Sequence, residues 1–149
     1  MSEADDRVNP EHAAHTAEHI LNAVMHRDYG TGRSIEAHFG NRKSKCDYRV
    51  DRPFDEEDIR RIEAAVNAEI RADHPVTTFT VDRVEADARY DMRKVPQGAS
   101  AIRIVRIGDL DVIPCIGQHV DRTGRLGRFV VRSFDMRDDS TLRIRFTFE

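Results

Sequence analysis

Two pieces of the sequence, far apart along the chain, carry side chains that could act together on a metal ion. The first is His15-Thr-Ala-Glu-His19. On a helix, residues four apart lie one turn above each other, so both imidazoles can converge on one ion. His12 lies one turn earlier on nearly the same side. Alone, such a pair is equally a polar stripe at a core boundary. The second piece is Cys115-Ile-Gly-Gln-His119, again with a spacing of four, between a strand ending near Pro114 and a loop through Gly124 and Gly127. Alone, it is equally a buried cysteine beside an unrelated histidine. Together the pieces supply three imidazoles and one thiolate, a nitrogen and sulfur set that suits zinc better than magnesium or calcium, which prefer oxygen.

The elements that must position these groups are visible in the hydrophobic pattern. A helix is predicted from about Pro10 to Arg27, capped by Asn9, with Ala13, Ala17, Ile20, Leu21 and Val24 at helical spacing and Gly30 and Gly32 beyond its end. Two strands, 34–39 and 45–50, joined by a polar turn at Gly40 and Asn41, form a hairpin. Asp55 caps a second helix whose buried side runs through Ile59, Ile62, Ala65, Val66, Ala68 and Ile70 toward Pro75. Alternation then predicts strands at 76–81, 101–107, 129–134 and 142–148, with a short helix over 84–90. Two main helices on a mixed, largely antiparallel sheet make an α+β two-layer sandwich.

The chain has 149 residues, which suits one domain spanning 1–149, and it shows no internal repeat. With 39% hydrophobic and 34% charged residues it reads as a water-soluble protein, and no apolar run reaches the roughly 18 residues that span a bilayer. The acidic, polar start MSEADDRVNPEH does not fit a signal peptide, so the cytoplasm is the expected location. The net charge of −3 excludes a molecule that attracts nucleic acid over its whole surface, so any RNA contact must be a local patch. Neither a membrane nor DNA is an expected partner.

HTAEHIL followed by CIGQHVDRTGRLG resembles the HxxxH and CxxxH pair of the editing domain shared by alanyl-tRNA and threonyl-tRNA synthetases and by the free-standing AlaX proteins. The likeness runs from His15 to the C-terminus and includes DRPFDEEDIRRIEAAVNAEI and IRIVRIGDLDVIPC. The resemblance implies hydrolysis of the ester joining an amino acid to the 3′ end of tRNA. His15, His19, Cys115 and His119 would be the Zn2+ ligands and the catalytic residues. The implied substrate is tRNA for alanine carrying serine, or glycine. The chain shows neither the synthetase catalytic regions nor the extra barrel of longer AlaX forms, so the expectation is the short form acting in trans.

Such editing has a physical reason. A pocket for alanine cannot strongly exclude an amino acid differing by one hydroxyl or methyl group, a difference worth about 1–3 kcal/mol. Four protein ligands would close a tetrahedral zinc site, whereas catalytic zinc needs an open position. One ligand, such as His119, could bind weakly, the coordination could expand, or the ion could mainly order the pocket.

The match departs from the family at Gln118, where a small residue or threonine is common, and at Ile116, where glycine is frequent. Family members use a polar side chain on the strand after the first helix to recognise the substrate hydroxyl. Ser34, Glu36 and His38 alternate on one face of that strand and are the candidates, with Gln118, for substrate binding, although a half-exposed polar face reads the same way. Arg122, Arg125 and Arg128 adjoin the second motif and are the candidate tRNA contacts, with Arg42, Lys43, Lys45, Arg93 and Lys94 further off. Any one of these can equally be a solvated surface residue. Two other functions compete: a non-catalytic, zinc-stabilised tRNA-binding module, and a small HxxEH metalloprotease with Glu18 as its base. The protease gives the cysteine motif no role, and Glu18 is read here as a helix-surface residue. Cys46 is read as a strand residue without a metal role.

Overall fold

The computed structural model describes residues 8–149. The first helix, α1 (Pro10–Tyr29), begins where the Asn9 side chain accepts the backbone N–H groups of Glu11 and His12, satisfying donors that have no partner inside the helix. It ends at Gly30, whose φ of +70° is the left-handed conformation that closes a helix. A second helix, α2 (Glu56–Arg71), opens with a reciprocal cap: Asp55 accepts from the Asp58 N–H and Asp58 accepts from the Asp55 N–H, each at 3.0 Å. Arg52 forks onto the Asp58 carboxylate at 2.8 and 2.9 Å and, as the largest influence, holds its pKa far below the ordinary carboxylate value. This contribution is present above the ordinary pKa and lost as pH falls toward the depressed one. Asp58→Ala removes the fork and the half of the reciprocal cap that the Asp58 carboxylate supplies, leaving the Asp55 half in place, and should lower unfolding stability at neutral pH by about 1–2 kcal/mol, read from urea titrations.

Among the described residues, seven strands divide between two antiparallel sheets. One has the order β1 (Glu36–Phe39), β2 (Ser44–Arg49), β7 (Thr141–Phe148), β6 (Phe129–Asp138). The other has the order β3 (Val76–Asp82), β4 (Ala101–Ile107), β5 (Asp111–Pro114), with a short helix α3 (Arg83–Arg89) between β3 and β4. The predicted α+β architecture is present, and the strand bounds differ in physically readable ways. β1 starts at Glu36 because the Ser34 N–H is already bonded to the buried Asn22 side chain at 3.1 Å. β6 runs to Asp138, past the expected end, with register shifts between Val131 and Ser133 and between Met136 and Asp138 that break the apolar alternation.

The main core joins Ile20, Leu21, Val24 and Met25 of α1 to Ile62 and Val66 of α2 and to Tyr48, Leu142, Ile144 and Phe146 of the larger sheet, all fully buried. Each such side chain is worth about 1.5–3 kcal/mol of burial. That packing fixes the rotation of α1, so Thr16, Glu18 and His19 also turn inward. Ala86, Ile102 and Ile104 form a smaller cluster beneath α3. Between β5 and β6 the chain is tied to the end of α2, where Thr123 accepts the His74 N–H at 2.9 Å and its hydroxyl donates to the Glu69 carbonyl at 3.1 Å. No helix among the described residues is long and apolar enough to cross a membrane.

Candidate metal centre

α1 and the segment after β5 bring the two motifs together. The ligand atoms of His15, His19, Cys115 and His119 all lie within 4.8 Å of one another. Cys115 Sγ sits 3.5 Å from Nε2 of His15 and 3.5 Å from Nε2 of His119. With metal–nitrogen bonds of about 2.0–2.1 Å and a metal–sulfur bond of about 2.3 Å, tetrahedral coordination places ligand atoms roughly 3.3–3.8 Å apart. The donor set fits an ion of that kind. His12, one turn away, and Cys46, buried on β2, stand outside the group.

The ionisation of the metal-free donors follows from their surroundings. Burial alone would raise the Cys115 thiol, but the imidazoles of His119, His15 and His19 beside it outweigh this and bring the pKa down to about 3. For His19, burial disfavours the charged ring, and the neighbouring Asp111 carboxylate and Cys115 thiolate overcome this, raising the pKa to about 9. His119 is pushed down by burial and by the charges of its two fellow histidines.

Each of two ligands has a support behind it, as metal-binding imidazoles generally do. The Thr16 hydroxyl donates to the His12 carbonyl at 2.8 Å and accepts from the Val120 N–H at 3.2 Å. Its single proton is therefore used, and toward His119 Nδ1, at 3.0 Å, it can only accept. A proton on His119 Nδ1 suits that acceptor and leaves Nε2 free for a metal ion. Behind His19, Asp111 Oδ2 lies 3.3 Å from Nδ1, a charge contact whose angle falls outside hydrogen-bond geometry. Arg33 grips Asp111 through both terminal nitrogens. Thr16→Val keeps the shape but removes the acceptor that fixes the His119 tautomer. Metal affinity should fall by roughly 10-fold or more, measured by competition with a chromophoric chelator.

The loop carrying Cys115 is pinned from β4: the Arg103 guanidinium donates to the carbonyls of Cys115, at 2.9 Å, and Gly117, at 2.7 Å. Gly117 passes so close to His15 that a Cβ built on it would lie 1.9 Å from the ring.

The other sequence candidates are placed less centrally. Ser34 is buried and its hydroxyl is committed to Glu18 at 2.6 Å, while Glu36, His38 and Gln118 are exposed. The β1 side chain stacked on the site is Phe39, from the apolar side of that strand, 5.1 Å from the His15 ring. Glu18 is not a helix-surface residue; only 7% of it is exposed, because β2 and the segment before β1 cover that part of α1. Arg122, Arg125 and Arg128 each pair with a carboxylate, of Asp73, Asp121 and Glu149 respectively. Asp111, Arg33, Thr16, Arg103 and Gly117 were not singled out by their sequence positions. Asp111 alone had an outward signal, a carboxylate four residues before Cys115 in a strand of otherwise apolar residues.

Residues 102–145 match the family model of the threonyl and alanyl tRNA synthetase second additional domain. Over 146 residues, 95% of the chain, it is 34% identical to an alanine–tRNA ligase of Halorubrum lacusprofundi, of which it covers 16%. Over 137 residues, 89% of the chain, it is 34% identical to the alanyl-tRNA editing protein AlaX-L of Pyrococcus horikoshii, of which it covers 32%. The chain thus spans a third or less of the length of these curated relatives. Similarity along nearly all of its own length, together with the paired motifs meeting at one point, places the chain in the family of AlaX-type editing domains.

Proposed function

We propose that this chain is a zinc-dependent aminoacyl-tRNA deacylase that hydrolyses the ester of a wrongly attached amino acid, with serine on alanine-specific tRNA as the first substrate and glycine as the second. The observation that carries this reading is the convergence of His15, His19, Cys115 and His119 within 4.8 Å. Its support in kinship is the likeness to AlaX-L, an alanyl-tRNA editing protein. A bound zinc ion would act as a Lewis acid toward the ester carbonyl or toward water. The chain's own residues do the positioning. Thr16 and Asp111 orient two of the imidazoles, Arg103 holds the Cys115 carbonyl, and the thiolate supplies negative charge that keeps a cation in place. Arg122, Arg125 and Arg128 would exchange exposed carboxylate partners for RNA phosphates; such surface pairs are weak in water and readily replaced. A translational substrate makes the cytoplasm the place of action.

The test is to add the purified chain to a panel of correctly and wrongly charged tRNAs and follow ester loss with and without a chelator. Rapid, chelator-sensitive loss on seryl-tRNA for alanine, with alanyl-tRNA spared, is the expected result. Metal-insensitive binding without ester loss on any member would instead indicate a tRNA-binding module.

A further inference from the structure

We propose that Glu18 is a substrate-binding residue that receives the free α-ammonium group of the aminoacyl ester. This deepens the deacylase reading and rests on it. Glu18 stands three residues after His15 on α1, and its side chain is buried. One carboxylate oxygen, Oε2, accepts the Ser34 hydroxyl at 2.6 Å. The other, Oε1, lies 3.6 Å from Nε2 of His15, the same nitrogen that faces Cys115 Sγ. Oε1 therefore borders the space where the four donors meet without belonging to the donor group.

The charge around it is incomplete. Among the described residues no lysine or arginine makes an ion pair with Glu18; its one contact of that kind is His15, which offers the same nitrogen to the metal. A carboxylate buried this far needs a compensating cation and hydrogen-bond donors. Ser34 meets half of that need, and the remaining oxygen lies beside His15 at the edge of the donor group. The substrate class of this family of reactions supplies the missing group, because an amino acid esterified through its carboxyl keeps a cationic amine one carbon from the carbonyl to be attacked. Ser34 takes a defined place in this arrangement: its proton is spent on Glu18, so it holds the carboxylate in one rotamer. The chemistry selected is an ester of an α-amino acid with a free amine. An N-acylated or α-hydroxy acid ester lacks the charge and is disfavoured.

The experiment compares metal-loaded wild type with Glu18→Gln on mischarged seryl-tRNA and on the same tRNA N-acetylated at the serine. Wild type should prefer the free amine by at least 10-fold. In Glu18→Gln the preference should collapse to near unity through a rise in KM for the free-amine substrate, with the acetylated one little changed. Ser34→Ala, which leaves the carboxylate in place, should keep most of the preference. A binding readout independent of turnover uses L-serinamide and N-acetyl-L-serinamide, followed by NMR shifts of α1 amides in wild type and in Glu18→Gln, whose own amide spectrum shows that it is folded. Preferential binding of serinamide, lost in Glu18→Gln, supports the assignment. Equal binding of the two amides, or a preference that survives Glu18→Gln because the metal itself takes the amine, overturns it. Absence of ester loss on every charged tRNA would count against the deacylase reading, while the serinamide comparison still decides the ammonium subsite.

Discussion

Alanine at position 115 should cost the protein both its metal and its ester hydrolysis. Cys115 is the anionic member of the donor group, and its Sγ lies 3.5 Å from two of the imidazole nitrogens. Loss of an outer partner of a metal ligand costs about 10–100-fold in affinity, and loss of the charged ligand itself should exceed that. Metal analysis after dialysis should fall from about one ion per chain to near none, with deacylation at background. The metal-free proteins should differ in a pH-dependent way as well. A thiol whose folded pKa is depressed to about 3 contributes stability that is fully present above its ordinary pKa and lost as pH falls through about 3. Unfolding free energies measured in a chelator should therefore show a gap between wild type and Cys115→Ala that widens as pH rises from about 3 toward about 9. A gap independent of pH would mean that the thiol is not ionised by its neighbours. His19 works in the opposite sense. Its raised pKa gives stability present below its ordinary value and lost as pH rises through about 9, and Asp111 sustains part of that in both proteins.

The four donors are legible in the sequence for two reasons: helical periodicity puts His15 and His19 on one face, and the pairing of the two motifs, with its likeness to the editing domain, draws in Cys115 and His119. His15 and His19 share a helix face through periodicity alone, and the same periodicity named Ile20, Leu21 and Val24 as the buried side of that helix. The supports of the donors were not legible, because each depends on long-range approach. Asp111 reaches His19 only because β5 pairs with β4 beside α1, and Arg33 reaches Asp111 from the far end of the helix–strand connection. Thr16 reads as helix filler until the Cys115 loop returns to place His119 and the Val120 N–H on its oxygen. Glu18 has the polarity of a surface residue, and its burial is decided by Ser34 and the adjacent strand, not by the helix that carries it. Strand ends failed for a related reason. The bulges in β6 interrupt the alternation on which a strand is recognised, and Ser34 leaves the strand pattern because Asn22 claims its N–H.

Gly117→Ala should damage the metal centre nearly as severely as loss of a ligand while leaving the fold intact. The reason is proximity, since the backbone at Gly117 is not in the left-handed region that reserves a position for glycine. A Cβ there would lie 1.9 Å from Cε1 and 2.1 Å from Nδ1 of His15, where carbon atoms in contact normally stand about 3.5–4.0 Å apart. The loop is the harder of the two partners to move. The loop is held by the two bonds from Arg103 and by the Gly117 N–H on Cys115 Sγ at 3.4 Å, and the His15 ring is backed by Phe39. The ring must therefore rotate out of the donor group, leaving His19, Cys115 and His119. Metal affinity should drop by more than about 10–100-fold, whereas the unfolding free energy of the metal-free protein should change by about 1 kcal/mol or less, because the main core does not include this loop. A double-mutant cycle separates collision from any other effect of the methyl group. With His15→Ala as background there is no ring to strike, and adding Gly117→Ala should cost little further affinity. Equal losses in both backgrounds would show that the methyl group acts on the Cys115 loop itself and not on His15.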